Sequence, residues 1–158
     1  MKQQMIAVIR LKGNAGMPVG LRKTYELLRL YRKFHCRVIP NTPEYIGMLA
    51  KARDSATWGE VDKETCKMLL EKRGRLPGNQ RLTADYLKNK LNLTIDQFVE
   101  EILSFKKQLK DLPGLKLYFK LTPPVRGFES KGVKEQYSLG GSLGYRKEKI
   151  NELIKRMA

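Results

Sequence analysis

The sequence predicts an α+β layered fold. Over the first 62 residues, β-branched runs and amphipathic runs alternate in the order β-α-β-α-β, which is the order of a small sheet with helices on one face. Residues 63–158 carry mostly helical patterns separated by loops, so a helical and loop extension is expected to pack on the 1–62 core. At 158 residues, 41% of them hydrophobic, the chain is long enough to bury one sizeable interior.

The first strand is read from QMIAVIRL, residues 4–11, a β-branched run that stops at the loop from Gly13 to Gly20. A helix is expected from Leu21 to Phe34, where Leu21, Tyr25, Leu28 and Tyr31 recur at spacings of four and three. Cys36–Ile39 reads as the second strand, closed by Pro40. Asn41-Thr42-Pro43 supplies a cap and a proline for a second helix over Glu44–Arg53, with Met48 and Leu49 in the core. Thr57–Val61 is the third strand and places Trp58 in the core.

In the extension, Asp62 caps a helix expected to reach Arg73, and KRGRLPGNQR (72–81) is a basic loop. Thr83 begins a short helix. Thr94-Ile95-Asp96-Gln97 fits a capping box for a longer one that ends before Pro113. Leu115–Leu121 is a strand candidate with Lys116 and Lys120 opposite the apolar face. A long glycine- and proline-containing loop follows, and a last helix runs from about Arg146 to Met157.

Charge narrows the function. Lys and Arg number 32 against 16 Asp and Glu, a formal charge of +16 spread over core and extension alike. A folded body that repels itself this strongly is matched to a polyanion, with nucleic acid ahead of an anionic membrane surface. Cys36 and Cys66 lack C-x-x-C spacing, and His35 is the only histidine, so no metal site is expected and the cysteines read as two reduced thiols of a cytosolic protein. The amino-terminal apolar run is too short for a signal sequence, and no stretch approaches the ~20 apolar residues that span a bilayer.

The glycine loop KGNAGMPVG fails both nucleotide patterns. A Walker loop needs lysine and a hydroxyl directly after its last glycine, whereas Gly20 is followed by Leu21 and Arg22, and Lys23-Thr24 comes too late. The spacing of Gly13, Gly16 and Gly20 is also wrong for G-x-G-x-x-G. What remains is a loop whose backbone a polyanion can approach, at a helix start, with Lys12, Arg22 and Lys23 adding charge. An RNA backbone satisfies it as well as a nucleotide does.

Two further stretches point the same way. In the first, Lys72, Arg73, Arg75 and Arg81 form a flexible basic strip suited to an irregular RNA surface. In the second, Arg126, Lys131, Lys134, Arg146 and Lys147 interleave with Phe128, Tyr137 and Tyr145, pairing phosphate contacts with stacking on bases. Catalysis finds little support. Glu100 and Glu101 point in different directions around a helix, and His35 beside Cys36 at a strand entry has no orienting third group.

The run GMPVGLRKTYELLRLYRKFHCRVIPNTPEYIGMLAKA resembles the core of the large-subunit ribosomal protein family numbered thirty in bacteria and archaea and seven in eukaryotes. KRGRLPGNQRLT, FVEEI, FKLTPPVRGF and GYRKEKINELIKRM resemble its longer archaeal and eukaryotic form, so the likeness covers nearly the whole chain. The resemblance implies a ferredoxin-like β-α-β-α-β core held in the large ribosomal subunit by rRNA contacts, without catalysis. It carries the family's basic loop onto Lys12, Arg22 and Lys23, the basic positions along and after the first helix onto Arg29, Arg32, Lys33 and Arg37, the extended form's basic loop onto Lys72–Arg81, and its turn onto Pro124, Val125, Arg126 and Gly127. Eukaryotic members carry a basic arm before the core. This chain starts almost at the first strand, so an archaeal member is expected.

The expected function is therefore structural: a constituent of the large subunit binding 23S-type rRNA through basic loops and helix faces, with 5S rRNA as a further candidate and neighbouring ribosomal proteins as partners. No cofactor, metal, membrane or small-molecule substrate is expected, and the compartment is the cytoplasm. The competing readings are a nucleotide-dependent RNA-modifying enzyme and a free RNA chaperone.

Overall fold

β1 (Met5–Arg10) is the central strand of the sheet, and β2 (His35–Pro40) and β3 (Ala56–Glu60) flank it, both antiparallel to it. The computed structural model describes residues 3–158. Two short strands complete the order β4-β2-β1-β3-β5: β4 (Phe119–Lys120) pairs antiparallel with β2, and β5 (Gly144–Tyr145) parallel with β3. Because β2 and β3 both run opposite to β1, they are parallel to each other, and the crossover between them leaves one strand's width that β1 fills. This is the ferredoxin-like arrangement expected from the sequence.

Side-chain alternation along β1 decides what covers each face. Ile6 and Val8 join Tyr25, Leu28, Ile39 and Leu49 in a cluster beneath α1 (Val19–Leu27) and α2 (Pro43–Ala52). Met5, Ala7, Ile9 and Leu11 face the other way, into a larger cluster supplied by α3 (Lys63–Arg73), α4 (Ala84–Leu91), α5 (Ile95–Leu103) and α6 (Ile150–Met157). Both faces of β1 are therefore dry, which accounts for its unbroken apolar run. The two cysteines, Cys36 and Cys66, lie in this larger cluster as free thiols whose pKa values burial pushes up.

Several elements differ from expectation, each for a visible reason. The first helix stops at Leu27 rather than Phe34 because Leu30 N–H folds back to the Tyr25 carbonyl (2.9 Å) and Arg29 N–H to that of Glu26 (3.0 Å), with Arg29 in the left-handed region. α5 keeps its Thr94 capping box but ends at Leu103, where Phe105 turns left-handed. The strand expected over Leu115–Leu121 shrinks to two residues, since Lys116 N–H donates to the Arg75 carbonyl (2.9 Å) and draws that segment onto the 72–82 loop. β5 was hidden inside the expected late loop, and α6 begins four residues after Arg146, following a 3₁₀ turn at Lys147–Lys149.

Polar groups tie the carboxy-terminal elements to the sheet. Asn151 Nδ2 donates to the Glu60 (3.0 Å) and Glu148 (2.9 Å) carbonyls while its Oδ1 accepts from Asp62 N–H (3.1 Å), tying α6 to the β3–α3 junction. At Gly59 the 3₁₀ turn presses so closely on β3 that an added Cβ would stand 1.9 Å from the Lys147 carbonyl oxygen. Backbone on both sides leaves no cheap relief. Gly59→Ala is expected to destabilise the fold by about 3 kcal/mol, measurable as a lower urea midpoint at unchanged slope.

Candidate nucleic-acid interface

Arg10 builds the floor of the glycine loop. It ends β1, is only 1% exposed, and has no carboxylate partner among the described residues. Its Nε donates to the Lys12 carbonyl (2.8 Å), Nη1 to the Leu30 carbonyl (2.9 Å) and Nη2 to Asn14 Oδ1, and the guanidinium lies 4.4 Å from the centre of the Tyr25 ring. One side chain thus fixes both the start of the loop and the turn after α1. Burial lowers its pKa, offset in part by Tyr25, and Arg22 lowers it further.

The loop then delivers an open helix start. Gly13, Gly16 and Gly20 face open space, and Gly16 adopts φ +68. α1 has no side-chain cap and no acidic residue in its first turn, while Arg22 and Lys23 project from it exposed. Backbone amides and cations therefore converge on one accessible surface, the condition for holding a phosphate.

Arg29, Arg32 and Lys33 are exposed in the turn after α1, and Arg37 is half-buried on β2, donating to the Leu27 carbonyl (3.3 Å) with Tyr45 beneath it. Burial lowers the Arg37 pKa. His35 is buried beside them, its ring stacked on Tyr118 at 4.6 Å. Burial, then Lys120, Arg32 and Arg10, push its pKa down to about 4. A histidine that ionises less readily folded than unfolded destabilises the fold as pH drops. Stability is thus expected to fall by up to about 1.4 kcal/mol per pH unit between about 6.5 and 4, a slope that urea titrations at several pH values should find flattened in His35→Gln.

The basic loop at 72–82 is an ordered hairpin rather than the flexible strip expected. Leu76 N–H donates to the Gln80 carbonyl (2.8 Å), Leu82 N–H to that of Gly74 (3.1 Å), and Gly78 makes the turn at φ 73. Lys72 and Arg81 are exposed, whereas Arg73 and Arg75 are half-buried. Arg126, Lys131, Lys134 and Lys147 are exposed on the far side of the sheet, on turns attached to α6 and β5: Arg156 Nη1 donates to the Gly127 carbonyl (2.8 Å), and Val125 N–H to the Arg156 carbonyl (3.0 Å).

Arg146, expected to reach RNA, does not. It is 2% exposed and points inward, where Nη1 and Nη2 grip Glu129 (2.8 and 3.3 Å), Nε donates to Thr57 Oγ1 (2.9 Å) and Nη2 to the Ser142 carbonyl (2.8 Å). Burial works to raise the Glu129 pKa, but the hydrogen bonds from Arg146 and Ser142 outweigh it and hold the carboxyl below its ordinary value. A guanidinium so occupied, with four of its five N–H groups engaged and the side chain buried, closes the late loop onto β3 and is not presented to a phosphate.

Ion pairing separates the remaining charges. Lys63–Glu100, Lys67–Asp96 (2.8 Å), Lys155–Glu64 (2.7 Å) and Lys149–Glu152 (3.0 Å) neutralise the surface of α3, α5 and α6. Among the described residues, no such pair involves Lys12, Arg22, Lys23, Arg29, Arg32, Lys33, Arg37, Lys72, Arg73, Arg75, Arg81, Arg126, Lys131, Lys134 or Lys147. The residues missed from sequence are Arg10, whose signal is an arginine closing an apolar strand just before a glycine loop, and Lys110, Lys116 and Tyr118, which only the fold brings beside Arg29.

Comparison with known proteins gives the family. The family model described as Ribosomal protein L30p/L7e matches residues 6–54, the β-α-β-α part of the core. The chain is 44% identical over 151 residues to the Large ribosomal subunit protein uL30 of Methanococcus maripaludis, covering 96% of this chain and 97% of that one. It is 45% identical over 154 residues to its counterpart in Methanosphaera stadtmanae (97% and 99%) and 43% identical over 154 residues to that of Archaeoglobus fulgidus (97% and 99%). These archaeal relatives are named as ribosomal proteins, not as enzymes. With relatives this similar along almost its entire length, the chain belongs to the Ribosomal protein L30p/L7e family.

Proposed function

We propose that this chain is a structural constituent of the large ribosomal subunit that binds 23S-type rRNA through the glycine loop with α1, the turn after α1, the 72–82 hairpin and the turns at 126–134 and 147. The observation that carries this reading is the segregation of charge: Lys63, Lys67, Lys149 and Lys155 meet carboxylates across the surface shared by α3, α5 and α6, while among the described residues the cations of these loops, and Lys72 and Arg73 at the end of α3, meet none. Exposed cations without internal partners are free to displace counterions from an RNA backbone. In this reading residues 1–62 form the core and 63–158 an extension that both braces the sheet and adds contacts. The paired α3–α6 surface is then available to protein neighbours.

The test compares two sets of substitutions in the full chain. Arg22→Gln with Lys23→Gln, or Lys72→Gln with Arg81→Gln, should each weaken binding to large-subunit rRNA about tenfold and lower the salt dependence by nearly two charges. Lys63→Gln with Lys155→Gln should change neither. Equal losses from both sets would show that net charge, not placement, governs binding.

A further inference from the structure

Between the turn after α1 and the segment leading into β4 lies a groove of about 420 Å³, within the range of about 300–1,000 Å³ in which small-ligand sites fall. Arg29, Lys110 and Lys116 surround a floor made of Leu115, Leu117 and Tyr118. None of the three cations has a carboxylate partner among the described residues. Phosphate contact explains the rim and leaves the floor unexplained.

Arg29 supplies a second, independent sign. It sits at φ 55 in the position following the helix cap, closing the two backbone bonds to Glu26 and Tyr25 that glycine usually closes. Glycine would form both bonds without the strain a side chain suffers there. Arg29 is one of seven described non-glycine residues at positive φ and the one among them that lines this groove, and strain of this kind gathers at binding sites. The floor, meanwhile, is held rigid: Tyr118 stacks on His35 (4.6 Å, planes 15° apart) and meets Tyr31 edge-on (5.7 Å, 83°), and Tyr31 itself remains 43% exposed.

We propose that this groove receives a single unstacked nucleotide of RNA, its base laid against Tyr118 and the leucines and its flanking phosphates held by Arg29, Lys110 and Lys116. A base still inside a duplex offers no free face to such a floor, so the site selects a bulged or looped-out residue. The inference rests on the RNA-binding reading above and adds to it a discrimination between paired and unpaired RNA.

The test uses the full chain and two RNA pools at one low salt concentration: fully paired hairpins, and the same hairpins with one bulged position randomised over the four bases. The wild-type protein should prefer the bulged pool by about five- to hundred-fold, the span expected for one base–aromatic stack. Tyr118→Leu, which keeps an apolar floor and removes the ring, should lose most of that preference, and Arg29→Gly with Lys116→Gln should weaken binding to the bulged pool more than to the paired pool while melting no lower than wild type, because glycine relieves the turn. Equal wild-type affinity for both pools, or a preference that survives both variants unchanged, overturns the nucleotide site and leaves the broader reading standing. Binding to neither pool overturns both.

Discussion

Arg10→Leu is expected to lower stability by about 3 kcal/mol and, in the fraction that still folds, to weaken rRNA binding by about tenfold or more. The substitution keeps an apolar stem in place and removes the guanidinium with its hydrogen bonds to the Lys12 and Leu30 carbonyls, Asn14 Oδ1 and Met17 Sδ. Without them the Leu30 carbonyl loses its donor in a buried setting and the Lys12 carbonyl in a half-buried one, while Asn14, being exposed, can turn to water; each unsatisfied buried acceptor costs about 1–3 kcal/mol. The stack on Tyr25 is lost as well. Part of that cost is returned, because a buried charge with no carboxylate beside it no longer has to be desolvated. The consequence for binding follows from geometry: Arg10 holds Lys12 at one end and the Arg29 turn at the other, so both loops proposed to meet phosphates lose their common anchor. Urea denaturation and filter binding on the same preparation check the two halves of the prediction. A variant as stable as wild type whose RNA affinity is also unchanged would mean that Arg10 supports neither loop.

Most of the fold was legible because short-range signals and long-range packing agree there. The run Met5–Arg10, the Pro43 start of α2 and the capping groups at Asp62, Thr83 and Thr94 each specify their element locally, and the structure uses all of them. What was missed depends on partners distant in sequence. β5 exists because Thr57 and Trp58 offer an open edge to Gly144 and Tyr145, and nothing near those two residues marks a strand. α1 ends early because Leu30 is bonded to Tyr25 by its N–H and to Arg10 by its carbonyl, whereas its apolar spacing alone would continue the helix.

The interface was legible as charge and illegible as orientation. Composition marks Arg126 and Arg146 alike, yet one stands exposed on a turn and the other is drawn inward by Glu129, seventeen residues earlier. In the reverse direction, Lys110 and Lys116 read as ordinary helix and strand lysines until the segment before β4 folds against the 72–82 hairpin and lines them up with Arg29. Which carboxylates find which lysines and arginines is settled by the fold, and the cations left over are those proposed to meet RNA.

That remainder sets the second large effect. Each phosphate neutralised by an unpaired lysine or arginine releases condensed counterions, so affinity should fall steeply as salt rises. The unpaired cations sit on several separate loops, and six to ten of them reaching phosphates together predicts a loss of about 10³- to 10⁵-fold between 50 and 200 mM salt. Pairs such as Lys155–Glu64 contribute little to that slope, since their lysines are already compensated. The most direct measurement is the affinity of the full chain for large-subunit rRNA across that salt range. A fall of at least a thousandfold is predicted; an affinity that barely moves would contradict binding through dispersed phosphate contacts.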